Sequence, residues 1–347
     1  MSLTEIQPSK HPNLDCIGAS IYTVLKYLNF SALETAWKQC GAIYLKTQDS
    51  PYGDINGQYM RTVDELKWIH NIRVEGRAEP EDDLFLANIQ DRLEREVPTI
   101  VLCNMAELPY NPYYQDLPEM HSIIVTGRED NQLLIVDDYY RYKGLLPIEQ
   151  FLQASNSSYR DAGTGEWYPL HNRSFELVLS DSLHPTPDQL IEAVRCNLSV
   201  LEGRCEVSQI KRDLDVPDDV NVEVGLKSLD PFLKDVEAFL ASGVEITDDH
   251  LDILNHSLIS MAQTRAMYAN ALQVISEKYQ NFGELAEQYR SIGHQWKITT
   301  NMILKAFDSN RSDMVHRVLQ KISSIQTQEY EAVVKTREVL ERVGVVV

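Results

Sequence analysis

A cluster of strand-period runs interrupts an otherwise helical pattern along this chain, and that limits the folds open to it. Three runs, Thr99 to Leu102, Ser122 to Thr126 and Leu133 to Val136, are short, nearly continuous and rich in Val and Ile, as buried neighbouring strands are. Phe175 to Leu179 reads as one more strand, and Pro185 and Pro187 mark a linker after it. From there the pattern is mostly helical. Thr247 to Tyr279, Glu284 to Phe307 and Ser312 to Val343 are long and amphipathic, with breaks at Phe282 and Gly283 and at Asn310, which predicts antiparallel helices in a bundle. The expected class is α+β, with a sheet domain at 1–182 followed by an all-helical domain at 183–347.

Shorter signals refine this division. Ile17, Ile21, Val24, Leu25 and Leu28 share one face of a helix that Cys16 opens. A second helix is expected from Ala32 to Gln39, then a Gly- and Asp-rich loop through Gly57, then a helix from Leu84 to Glu96 that ends against Pro98. Thr186, Pro187 and Gln189 form a capping-box start for the helical half. Asp213 to Gly225 is acidic and aperiodic and reads as an irregular connection.

Composition removes several classes of function. With 32 Lys and Arg against 52 Asp and Glu in 347 residues, the net charge is -20, and a nucleic-acid or anionic-membrane binder would work against its own field. Met1 to Lys10 has no basic segment leading into an apolar run, and no apolar stretch reaches the ~20 residues of a membrane helix, so a soluble, cytoplasmic protein is expected. The five cysteines, an odd number without a Cys-x-x-Cys pair, fit neither a disulfide framework nor a zinc site. His250, His256, His294 and His316 lack paired ligand spacing, and no metal is assigned.

One constellation carries chemistry. A thiol is a good nucleophile when a helix amino terminus and an imidazole both stabilise its anion, and the first turn of such a helix also offers backbone N–H groups to an oxyanion. Cys16 stands at such a turn. The partner should be a His opening a strand, held in one tautomer by a carboxylate closing the next, and His121 and Asp137 meet that description across a hairpin turning at Asp130, Asn131 and Gln132. His11 is the rival base, and Asp138 is the neighbouring carboxylate. Asn104, after the first of the three strands, is a candidate oxyanion donor. Tyr110, Tyr113 and Tyr114 before His121, with Tyr139, Tyr140 and Tyr142 after Asp137, suggest a substrate wall, for which Tyr114 and Tyr139 are the named candidates. Tyrosines that merely cover a sheet edge would give the same pattern.

Asp15-Cys16-Ile17-Gly18-Ala19-Ser20, His121-Ser-Ile-Ile-Val-Thr-Gly127 and Leu134-Ile-Val-Asp137-Asp-Tyr resemble the three motifs of bacteriocin-processing cysteine peptidases. They resemble still more the amino-terminal domain of butirosin-biosynthesis protein H, in which the first helix ends as here at Tyr27, Leu28, Asn29 and Phe30. The likeness covers most of the first ~180 residues, one domain's worth of chain. It extends more loosely to Gly225 to Leu229 and the helix around Trp296. The resemblance implies a papain-like domain and an acyltransferase. Its cysteine would take an aminoacyl or peptidyl group from the phosphopantetheine thioester of an acyl or peptidyl carrier protein and yield it to a small-molecule amine in antibiotic-type biosynthesis, with no bound cofactor. Two positions depart from the pattern: Asp15 replaces a His common among relatives, and the Lys10 region lacks the glutamine with which the peptidases complete their oxyanion hole. A cysteine peptidase, amidase or thioesterase is the alternative, and a catalytically silent binding scaffold is a third reading. The long amphipathic helices also suit a homodimer.

Overall fold

The apolar runs become the middle of a sheet, and the sheet sets where everything else in its unit can sit. The computed structural model describes residues 2–9, 11–48, 50–160, 166–179, 185–244, 247–308 and 312–345. Helix α1 (Cys16–Tyr27) is followed by β1 (Ile43–Lys46), β2 (Asp54–Asn56), α2 (Thr62–Lys67), β3 (Arg73–Ala78), α3 (Asp82–Glu94) and β4 (Thr99–Asn104). After a 3-10 turn at Met105–Glu107 come β5 (Met120–Glu129), β6 (Gln132–Asp137), β7 (Tyr142–Pro147), α4 (Ile148–Asn156), β8 (Ser158–Arg160), β9 (Trp167–Pro169) and β10 (Arg173–Val178). The remainder holds α5 (Pro187–Leu201), α6 (Val207–Leu214), β11 (Asn221–Val224), α7 (Leu229–Ala241), α8 (Asp248–Ser276), α9 (Asn281–Asp308) and α10 (Ser312–Arg342). The fold is α+β, with a sheet domain first and helices after it.

The chain forms two compact units, and they are not consecutive stretches. One gathers Met1–Leu33 with Asn71–Leu183, the other Glu34–His70 with His184–Val347. The expected boundary at 182/183 and the expected break at Asn310 both lie outside the described residues. What a single division at residue 182 misses is the segment 34–70, and the reason is strand pairing. β1 pairs antiparallel with β11, Ile43 opposite Val224 and Lys46 opposite Asn221, and β2 pairs with the other edge of β1. The loop expected through Gly57 and the irregular connection expected at Asp213 to Gly225 thus each contain strand.

In the first unit the sheet order is β3-β10-β4-β5-β6-β7, every neighbouring pair antiparallel. Alternation along the central strands sends Val101, Cys103, Ile123, Val125, Leu133 and Ile135 into one cluster with Phe85 and Ile89 of α3 and Phe151 of α4. Ser122 meets α1 instead, its Oγ 3.0 Å from Ser20 Oγ. α1 buries Ile21, Val24 and Leu25, and each such fully buried side chain is worth roughly 1.5–3 kcal/mol. That face holds α1 on the sheet and so fixes the position of its first residue, Cys16.

In the second unit one apolar cluster runs through α5, α7, α8, α9 and α10, with Trp296 and Leu272 among its fully buried members. Inside it lies an ion pair with no exposure on either side: Arg265 Nε donates to Glu329 Oε1 at 2.7 Å. Arg265 Nη1 also donates to Gly41 O at 2.5 Å, and Trp296 Nε1 to Glu329 Oε1 at 2.9 Å. Among the described residues no helix is long and apolar enough to cross a membrane.

The helix expected at Ala32 to Gln39 shrinks to a 3-10 turn at Leu33–Thr35. Buried Glu65 draws the backbone away from helical pairing: its Oε1 accepts the N–H groups of Lys38 and Gln39 at 2.5 and 2.7 Å, and its Oε2 accepts Gln39 Nε2 at 2.8 Å. A charged acceptor inside the protein outweighs a local propensity of a few tenths of a kcal/mol per residue.

Candidate active site

Cys16 is the first residue of α1, half-buried, and Asp15 caps the helix that it opens. The cap is a direct bond from Gly18 N–H to Asp15 Oδ1 at 2.6 Å, while Ala19 N–H goes to Asp15 O at 2.9 Å. Gly18 leaves room for this turn, since a Cβ there would stand 3.0 Å from Asp15 Oδ1 and 3.2 Å from Leu14 Cβ. The N–H groups of Cys16 and Ile17 belong to the turn that no helical carbonyl reaches, which is where an anion is favoured.

His121 lies next to the start of β5 and Asp137 ends β6, so the hairpin brings them to one edge of the sheet. Both are buried, and His121 Nε2 is 2.8 Å from Asp137 Oδ2. With Nε2 committed to the carboxylate, Nδ1 is the ring nitrogen left to face the thiol. Burial, the strongest influence on His121, disfavours its charge. Its hydrogen bonds to Asp137 and Cys16, and the negative charge at both, outweigh that and raise the imidazole to about 9. The three residues thus come together, Cys16 and Asp137 on either side of one ring. This is a thiol, imidazole and carboxylate set at the junction of a helix start and a sheet edge.

The other thiols have different surroundings. Burial pushes Cys40 up to about 12, Cys196 to about 11 and Cys103 well above the ordinary range, which leaves them as thiols at neutral pH. His11, the rival base, accepts Asn13 N–H at Nδ1 (3.3 Å) and lies against Tyr22, ring centroids 5.1 Å apart.

The other candidate residues have partners of their own. Asn104 caps the 3-10 turn: its Oδ1 accepts Ala106 N–H at 2.9 Å and its Nδ2 donates to Ser158 O at 2.8 Å, so both ends of its amide have structural partners. Tyr114 sits in the connection before β5 with its ring exposed, its N–H bonded to Asn111 O at 3.1 Å. The rings that meet His121 are Tyr139, edge-on at 6.1 Å, and Tyr140 at 5.3 Å. Asp138 is a clamp, its Oδ1 accepting Ser9 N–H at 2.6 Å and Thr23 Oγ1 at 2.8 Å. Lys10, in the region that corresponds to the peptidases' glutamine, lies outside the described residues.

In the sequence Tyr110 and Tyr140 stand out only as part of a phenol-rich surround. Both in fact bind Asp137, through Tyr110 Oη to Oδ2 at 2.9 Å and Tyr140 N–H to Oδ1 at 3.1 Å. No sequence pattern marks the first contact; the second is an Asx-type turn, which Asp137 ending a strand before a tight turn does suggest.

The fold is α+β, and at one edge of its sheet a cysteine, a histidine and an aspartate come together. The sequence model of the family described as butirosin biosynthesis protein H, N-terminal, matches residues 37–138, which supports the resemblance read from the motifs. The match includes His121 and Asp137 and begins after Cys16. No curated protein matches the chain.

Proposed function

We propose that the protein is a cysteine-dependent acyltransferase with a papain-like catalytic unit, acting in a biosynthetic pathway of the antibiotic type. The observation that carries this reading is His121 held between Asp137 and Cys16 and raised to about 9, so that it carries a proton at neutral pH beside the thiol. The match to a butirosin-biosynthesis family supports a biosynthetic enzyme.

Cys16 Sγ, its proton held by His121, attacks the carbonyl carbon of an acyl thioester. The developing oxyanion is stabilised by the N–H groups at the start of α1. The C–S bond to the phosphopantetheine arm of the donor breaks, and its sulfur leaves as the thiol with the proton from His121. In the second half an amine attacks the acyl-cysteine, His121 takes the amine proton, and Cys16 leaves. Asp137 keeps the imidazole in the tautomer with Nε2–H toward itself. The donor is an acyl or peptidyl carrier protein and the acceptor a small amine.

The test is incubation with an aminoacyl-pantetheine thioester, followed by intact-mass analysis. The acyl mass should appear on the wild type and be absent from Cys16→Ala, and adding an amine should discharge it as an amide. Release only as the free acid would make the protein a thioesterase, cleavage of peptides would make it a peptidase, and label persisting in Cys16→Ala would end the nucleophile assignment.

A further inference from the structure

Asp137 takes more than one partner at the oxygen that holds His121. Tyr110 Oη donates to Asp137 Oδ2 at 2.9 Å, and His121 Nε2 approaches the same oxygen at 2.8 Å. The other oxygen accepts Tyr140 N–H at 3.1 Å. The phenol is itself held in place: the Tyr110 ring lies flat on Tyr142, centroids 3.9 Å apart and planes within 1°. Tyr142 is in turn the cross-strand partner of Asp137. Strand, ring stack, phenol and carboxylate therefore close a loop of contacts that ends at the imidazole.

We infer that Tyr110 is a positioning residue of this site, which sets how strongly Asp137 draws the proton of His121 by sharing its Oδ2. A hydrogen bond to a carboxylate spreads its charge, and a second donor at one oxygen weakens what the first receives. Burial drives the Tyr110 phenol well above its ordinary range, so that it stays a donor at every pH at which the protein works. The groups that face His121 are Cys16 from α1, Asp137 from β6, and Tyr139 and Tyr140 from the turn after it. Cys103 on β4 meets only its carbonyl, Sγ to O at 3.7 Å. Tyr110 is not one of these groups: its hydroxyl reaches Asp137 Oδ2, so its effect on the imidazole passes through Asp137.

This inference rests on the proposed reading of Cys16 and His121 as the reacting pair, and its test needs no acyl substrate. The His121 titration midpoint would be read by NMR of a histidine-labelled protein, together with the pH profile of Cys16 alkylation by iodoacetamide. Tyr110→Phe keeps the ring and removes the donor, and should raise the midpoint by roughly half a unit or more. Tyr142→Phe, which keeps the stack and the Tyr110 hydroxyl, should leave it in place. A difluorotyrosine introduced only at position 110 is a stronger donor and should move the midpoint downward without disturbing packing. Equal midpoints in the wild type, Tyr110→Phe and the fluorinated protein, or shifts of the opposite sign, would overturn the assignment. Failure of the acyltransferase reading would show instead as absent acyl labelling, with the midpoint shifts unaffected.

Discussion

Asp15 Oδ1 accepts the N–H of Gly18 at 2.6 Å, so the residue before Cys16 closes the first turn of the helix that Cys16 begins. Removing this cap in Asp15→Ala should destabilise the protein by about 1 kcal/mol, whereas Asp15→Asn, which keeps an acceptor, should cost much less. Urea midpoints of the three proteins check this. Equal midpoints for Ala and Asp would mean that the bond is immaterial to α1.

Asp137→Asn changes one atom in the orienting group. An amide can turn its NH2 toward His121 and hold the wrong tautomer, so the rate at which a thioester acylates Cys16 should fall steeply, up to ~10,000-fold. Rapid-quench intact-mass measurements would follow it. A fall of less than tenfold would show that something other than Asp137 orients the ring.

The raised His121 also makes a pH-dependent contribution to stability. Its value moves from 6.5 to about 9 on folding, so folding binds a proton in that window. The stabilisation is complete below about pH 6.5 and is lost as pH rises through about 9; for that shift it is on the order of 3 kcal/mol. Lys38 works in the other direction, because burial lowers it to about 8 and folding then gains as pH rises above that value. The quantity to measure is therefore the stability difference between wild type and His121→Gln from pH 6 to 10. It should shrink with rising pH, and a constant difference would contradict the assignment.

Asp138 acts in a lower window. Burial raises its carboxyl to about 6, against the help of Ser9 N–H and Thr23, and its Oδ2 is buried without a hydrogen-bond partner among the described residues. Its contribution is present below about 3.8 and lost as pH rises through about 6. Asp138→Asn keeps an acceptor for Ser9 and Thr23 without the buried charge. It should be more stable than wild type at pH 8 by on the order of 1 kcal/mol or more and lose that advantage at pH 4. Denaturation at the two pH values decides it.

The pair Arg265 and Glu329 should be costly to break from one side. Glu329→Gln leaves a buried guanidinium without its counter-charge and should destabilise the protein by roughly 3–5 kcal/mol, while Arg265→Met with Glu329→Leu should recover most of the loss. If the double variant were as unstable as the single one, the remaining bonds to Gly41 and Trp296, and not the charges, would hold this core.

What could be read from the sequence followed the range of the interactions involved. α1, the strands β4, β5 and β6 and the three long helices are specified by their own period, and their ends carry caps or turn residues. Cys16, His121 and Asp137 were legible because each sits at an element end that the pattern marks. β3 was not, because Arg73 to Ala78 is a charged and largely exposed strand with no apolar alternation. β1 and β11 were not, because a four-residue strand such as Ile43–Lys46, pairing with Asn221–Val224 far along the chain, leaves no local signature. The helix expected after Ala32 failed for the converse reason: its local signal was real, but Glu65 supplied a better acceptor for the backbone. The structural partners of Asn104 were not legible, because a strand-end amide gives no local sign of which backbone groups its two ends will meet.

The pairing of β1 with β11 also dictates an order of events during synthesis. Residues 43–46 emerge from the ribosome about 175 residues ahead of 221–224, which at 5–20 residues per second is a wait of roughly 10–35 s. Late in that interval the first unit can complete its own six-stranded sheet, since the last strand of that sheet, β10, ends at Val178. The excised segment 34–70 meanwhile carries Tyr44, Tyr52 and Ile55, side chains destined for the core, on a hairpin with one unpaired edge. Nascent chains stalled before residue 221 should therefore be the form of this protein most prone to aggregate, and the form for which a holdase chaperone matters most.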